Sequence, residues 1–234
     1  MRTSHKEMRR KINAEVSKIT DEELFSSAAF AAYLTDIAEA VTKRYKRKLR
    51  VETIYDTSEN AMIACTNNRN ILINTGNYIS QSMPYRKLKA ESILGLVGHE
   101  VGHMLFTNFR ISETYFSELS YGRLYPQMEL SEEEQESFTE VTDYFKAGTE
   151  AQKQAILKAA KLLLNILEDA YIEARICDRY TGRFATGIHL NNIRFTEMMP
   201  SVTEQLTNGC YRFSVFCNLL NQYCRSGDIN NRDE

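Results

Sequence analysis

Apolar residues recur at helical spacing along most of the chain, and polar capping signals divide the pattern into segments. Thr20 with Glu23, Ser131 with Glu134, Thr149 with Gln152 and Ser201 with Glu204 all have capping-box spacing. They predict helices over 21–48, 131–147, 150–179 and 201–224. Pro84 suits a helical first turn, so a fifth helix is expected from there to Asn108. A short helix is expected before residue 19. Between 49 and 75 the period changes. "LRVETIYD" alternates, "AMIACT" is short and apolar, and "NILINT" is β-branched, with "TNNRN" as a hairpin connection before it. The fold class that follows is α+β: mostly helical, with a sheet of about three strands ahead of the fifth helix. One domain is expected over 1–225, made of N-terminal helices (1–48), the sheet (49–75), the fifth helix (84–108) and a C-terminal helical part (131–225). Residues 226–234 read as a polar tail or a linker.

The fifth helix breaks the ordinary rules. "ILGLVGHEVGHMLFTNF", Ile93 to Phe109, holds Gly95, Gly98 and Gly102, each costing about 1 kcal/mol against alanine. Around the axis, Ile93, Val97, Val101 and Met104 form a core face. His99, Glu100 and His103 share a stripe, and the glycines lie along its other flank. A flank without side chains lets another backbone come close and leaves room beside the histidines. His99-Glu100-Val101-Gly102-His103 is HExxH. Its spacing lets two imidazoles grip one zinc ion, Zn2+, while the glutamate reaches a water on that metal and acts as general base.

Zinc needs a third protein ligand. His5 and His189 are the other two of the four histidines. The stretch "LLLNILEDAYIEARICDRY", Leu162 to Tyr180, is more informative. Its expected apolar seam is Ile156, Ala160, Leu163, Leu167, Ala170, Ala174 and Cys177. Glu168 borders that seam between Leu164 and Ile172, and a carboxylate among leucines needs a strong partner. Glu168 is therefore the expected ligand. Asp169 and Glu173, on the neighbouring stripe with Asn165, are alternative ligands or the acids that orient a ligand histidine.

Charge and cysteine content add little. The formal net charge is −2, so no global basic balance points to nucleic acid, and the basic run Lys43 to Arg50 reads as a solvated helix end. Five cysteines without a CxxC pair fit a reducing cytoplasm. Cys210, Cys217 and Cys224, seven apart, are expected on one helix face. No apolar run is long enough for a membrane span, and the N-terminus is too polar for a signal peptide.

HExxH on one helix, an acid on a later helix and a small preceding sheet resemble the gluzincin branch of zinc metallopeptidases. The text "HEVGHMLFT" and "NILEDAYIE", the latter like a recurrent N-x-L-E-D-x-x-I-E, is similar to metallopeptidase domains of bacterial and phage proteins, several of which precede a von Willebrand A domain. The resemblance covers Leu49 to Tyr180. It implies a zincin-like fold, one zinc ion, peptide hydrolysis and a peptide or protein substrate, with room for a further C-terminal domain or partner protein. The alternative is a catalytically inactive zinc-binding or peptide-binding module in a larger phage or bacterial assembly. It also implies that the strand at "NILINT" is the sheet edge lining the cleft, and that a donor for the transition-state oxygen comes from Tyr171, Arg175, Tyr180 or His189. One departure stands out. Gluzincins pair a ligand glutamate with an aspartate four residues later, but four after Glu168 comes Ile172, and Asp169 with Glu173 has the two residue types reversed.

Overall fold

The computed structural model describes residues 4–45 and 48–230. Met1–Thr3, Lys46, Arg47 and Asn231–Glu234 lie outside the described residues, and so do the centre of the basic run and the end of the expected tail. The elements in chain order are α1 (His5–Val16), α2 (Asp21–Phe25), α3 (Ala28–Thr42), β1 (Arg50–Ile54), β2 (Ala64–Thr66), β3 (Asn70–Asn74), α4 (Tyr78–Gln81), α5 (Arg86–Phe106), α6 (Phe109–Ser120), α7 (Glu132–Ala147), α8 (Glu150–Arg179), α9 (Arg183–Met198), α10 (Val202–Thr207) and α11 (Arg212–Ser226). The class is α+β, mostly helical with one three-stranded sheet. No helix among the described residues is long and apolar enough to cross a membrane.

Each capping pair closes on a helix start. Thr20 and Glu23 form a reciprocal box on α2, as do Ser131 and Glu134 on α7. Thr149 and Gln152 do the same ahead of α8, and the Ser201 hydroxyl accepts from the Glu204 backbone at α10. Caps mark beginnings only, and two expected helices prove to be pairs. Ser26 and Ser27 interrupt the first, and Ser27 caps α3 anew. Gly209, at φ 79°, separates α10 from α11, where a left-handed residue suits glycine. Cys210 is thereby outside any helix and exposed, while Cys217 is buried and Cys224 half-buried on α11. The helices α4, α6 and α9 fall where no capping box announced them.

The chain divides into two compact units. The first comprises residues 1–105 and 172–199. In it β3 is the central strand, parallel to β1 and antiparallel to β2, with Ile71 opposite Val51 and Thr66. The expectation that β3 is the sheet edge is therefore corrected. Both its sides are paired, and Ile71 and Ile73 are wholly buried; the edges are β1 and β2. Leu34 and Ala38 of α3 join this core, and the Thr35 hydroxyl accepts from the Val51 N–H at 3.0 Å. At the end of β3 the wholly buried Asn74 side chain accepts from the Asp56 and Gly76 N–H groups and donates to the Asp56 and Met62 carbonyls, so its full hydrogen-bonding capacity is used. The start of α5 is held by Asp21, which accepts from Arg86 at 2.6 Å and Lys89 at 2.8 Å. Burial raises the Asp21 carboxyl, but these two cations outweigh it and hold the group below the usual carboxylate range.

The second unit comprises residues 106–171 and 200–234. Phe145 of α7 and Leu119 of α6 are buried in it, and the Gly122 turn, at φ 68°, lies against the Phe145 side chain. A line of amides orders its C-terminal part. Gln205 donates to the Pro200 carbonyl, Asn218 donates to Gln205, and the wholly buried Gln222 donates to Asn218. The Asn230 N–H then returns to the Gln222 side chain at 2.9 Å. The part of the expected tail that is described thus folds back on α11. The helix α8 is unbroken across the division between the units.

Candidate metal centre

The glycines of α5 have the use that their cost implied. A Cβ on Gly95 would lie 2.3 Å from the Gly187 backbone of α9, and one on Gly187 would lie 2.3 Å from the Glu91 carbonyl. The two helices cross backbone to backbone there. Gly98 faces the Phe184 ring, and Gly102 faces Ile172 and Ile176 of α8. Ile93, Val97 and Val101 are wholly buried and Met104 is nearly so, as the core face predicted. Buried glycines on the opposite flank mean that α5 is enclosed on most sides, while His99 and His103 keep partial exposure. Their rings stand edge to face, centroids 4.9 Å apart.

Beside them α8 is turned from its expected orientation. Its buried residues are Ile166, Ile172, Glu173 and Ile176, whereas Leu167 is 53% exposed. Each position of the later seam moves back by one residue, a rotation of about 100°: Ile166 replaces Leu167, Asp169 replaces Ala170, Glu173 replaces Ala174 and Ile176 replaces Cys177. Two acids sit on the inward row. Among the described residues, His99, His103 and Asp169 form the group whose ligand atoms lie within 4.8 Å of one another, close enough to hold one metal ion. Glu168, the expected ligand, is not in that group, and Asp169 is. The physical reason is the rotation: the same turn that brings Asp169 inward moves Glu168 one residue round the helix.

Glu173, one turn after Asp169, is 6% exposed, and its Oε1 lies 2.7 Å from His99 Nδ1. With Glu173 ionised and the imidazole neutral, Nδ1 carries the proton and Nε2 keeps its lone pair for a cation. Asn192 of α9 donates to the other oxygen, Oε2, at 2.7 Å. Its neighbour Asn191 exchanges hydrogen bonds with Ser92 of α5, whose hydroxyl also meets that of Ser80 on α4. This buried polar line ties α4, α5 and α9 together, and Asn192, next to Asn191, holds the Glu173 that meets His99. Asn191 and Asn192 escaped the sequence reading because nothing announced α9, and an Asn-Asn pair in helical text is weak evidence of anything. Gly187, four residues before Asn191, was the available clue.

Glu100 is 4% exposed. Cys65, on the edge strand β2, has its thiol pushed up by burial and by the Glu100 charge, which favours the protonated thiol. Cys177 is raised in the same way, by burial and by Glu173. The four candidate donors lie in different settings. The Tyr180 hydroxyl donates to the Val41 carbonyl at 3.3 Å, His189 is on the exposed side of α9, and Tyr171 and Arg175 are exposed positions of α8. The residues could therefore hold a metal ion: two imidazoles, one of them oriented by a carboxylate, and an aspartate. No protein-family model matches the chain, and neither a curated protein nor a solved structure matches it.

Proposed function

We propose that the chain is a zinc-dependent peptidase in which His99, His103 and Asp169 hold the metal and Glu100 is the general base. The observation that carries this reading is the pairing of HExxH with an independently oriented third acid. Asp169 lies within ligand reach of both histidines, and Glu173 with Asn192 sets the His99 tautomer. A metal held there supplies a Lewis acid that polarises a carbonyl and lowers the pKa of a water to about 7. Glu100 follows His99 directly on α5, and its burial keeps bulk water from competing for its proton transfers. It takes a proton as the nucleophile attacks and returns it to the leaving amine. The free side of β2 offers backbone groups to an extended peptide, which would add as a further strand.

This arrangement also bears on the resemblance to gluzincins. Asp169 as ligand with Glu173 four residues later keeps the family's order of roles, ligand first and supporting acid second, with the residue types exchanged. The test has two parts. Protein purified without chelator should hold about one zinc per chain and cleave a reduced, unfolded protein in a chelator-sensitive way. Glu100→Gln should keep the zinc and lose turnover by roughly 100-fold or more. Undiminished cleavage by that variant would remove Glu100 from the mechanism, and a zinc-free wild type would remove the metal.

A further inference from the structure

We propose that Arg225 is the positioning residue of Asp169, so that the C-terminal helix α11 sets the affinity of the metal site. The inference rests on the zinc reading above and adds to it a residue from the far end of the chain. Arg225 Nη2 donates to Asp169 Oδ2 at 2.5 Å, and the two side chains are only 17% and 14% exposed. A carboxylate has two oxygens and about four lone-pair positions, so it can accept from a guanidinium and still ligate a cation. The half-buried Asp169 then has one preferred orientation instead of a swing toward solvent.

The α11 helix is itself anchored. Gln222, one turn before Arg225, is wholly buried in the amide line that runs from Pro200 to Asn230. Asp169 is thus steadied from α11 as His99 is steadied from α9. Two ligands have separate supports, and both supporting helices lie outside the segment that carries the metallopeptidase resemblance.

The test is cobalt and zinc affinity by chelator competition, together with the visible absorption of the cobalt-loaded protein. R225Q should weaken both affinities by about 10–100-fold and alter the cobalt spectrum, since Asp169 loses its fixed orientation. R225K keeps the charge without the planar fork and should recover part of the loss. In a D169N background, R225Q should cause no further weakening. Equal affinity and an identical spectrum for R225Q and wild type would overturn the proposal. So would an equal loss in the D169N background, because the arginine would then act on the fold at large. If R225Q does not fold, R225K decides by the same two measurements: weaker affinity at an unchanged melting temperature supports the proposal, and wild-type behaviour refutes it. A wild type that takes up neither ion defeats the zinc reading itself, and this inference falls with it.

Discussion

The helices α5 and α8 supply every candidate ligand, yet they relate to their sequences in opposite ways. In α5 the unusual residues are the small ones. Three glycines look like a defect, and each answers a neighbour: the Gly187 backbone, the Phe184 ring, and the Ile172 and Ile176 side chains. In α8 the unusual residues are acids on the inward row. Glu173 is buried against His99 and Asn192, and Asp169 is engaged by Arg225. A pattern built from apolar spacing survives glycines, because they leave the apolar positions untouched. It does not survive buried acids, because it assigns them to solvent and turns the helix by one residue. The lesson is general: where acids occupy a core row, hydrophobic periodicity points to the row beside it.

The sharpest way to break this comparison is to exchange the two neighbouring acids. Asp169→Asn should weaken zinc binding by roughly 100- to 1000-fold, the cost of losing one anionic ligand of three. Glu168→Ala should change it by less than about threefold, as expected of a residue outside the ligand group. Competition with a chelator measures both. If Glu168 proves the essential one, α8 has the rotation that its leucines suggest, and the inward row described above is wrong.

What could be read in advance divides along the same line. The core face of α5 and the close backbone approach at Gly95 depend on local spacing, and both appear as expected, whereas Gly98 and Gly102 face the side chains of Phe184, Ile172 and Ile176. Helix starts were legible because a capping box is a local chemical device. Helix ends were not, so Ser26–Ser27 and Gly209 split two expected helices. The position of β3 at the centre of the sheet depends on pairing with strands about 20 residues earlier and a few residues earlier, and no local rule ranks those partners. The inward placement of Asp169 and Glu173 involves α9 and α11, which come later in the chain and supply hydrogen-bond partners for Glu173 and Asp169.

A stability measurement sharpens the comparison without reference to metal. Ile166 is 5% exposed and Leu167 is 53% exposed. Ile166→Ala removes buried methylenes and should cost about 2–4 kcal/mol. Leu167→Ala trades an exposed leucine for the best helix former and should stay within about 0.5 kcal/mol. Urea unfolding of the metal-free proteins gives both values. The expected seam predicts the reverse order.

The smallest expected effects concern α5, and there the glycines should separate by what faces them. Alanine gains about 1 kcal/mol of helix propensity at any of the three positions, so the sign of each change depends on the neighbour. At Gly95 the new Cβ would meet the Gly187 backbone at 2.3 Å. Backbone cannot rotate away, so α5 and α9 must part, and overpacking of this kind costs about 1–3 kcal/mol. At Gly98 the nearest atom is Phe184 Cγ at 2.9 Å, and a ring can tilt, which leaves a smaller loss. At Gly102 the nearest atoms are the Ile172 and Ile176 side chains at 3.1 Å. Shifts of a few tenths of an ångström relieve that contact, and the propensity gain roughly cancels the remainder. The predicted order of melting temperatures is therefore Gly102→Ala near wild type, Gly98→Ala lower, and Gly95→Ala lowest. Gly95→Ala should also disturb the site at a distance, because Asn191 and Asn192 follow Gly187 on α9 and hold Ser92 and Glu173. A Gly95→Ala protein that melts with the wild type would mean that the two backbones are not in contact, and the glycines of α5 would again have no explanation.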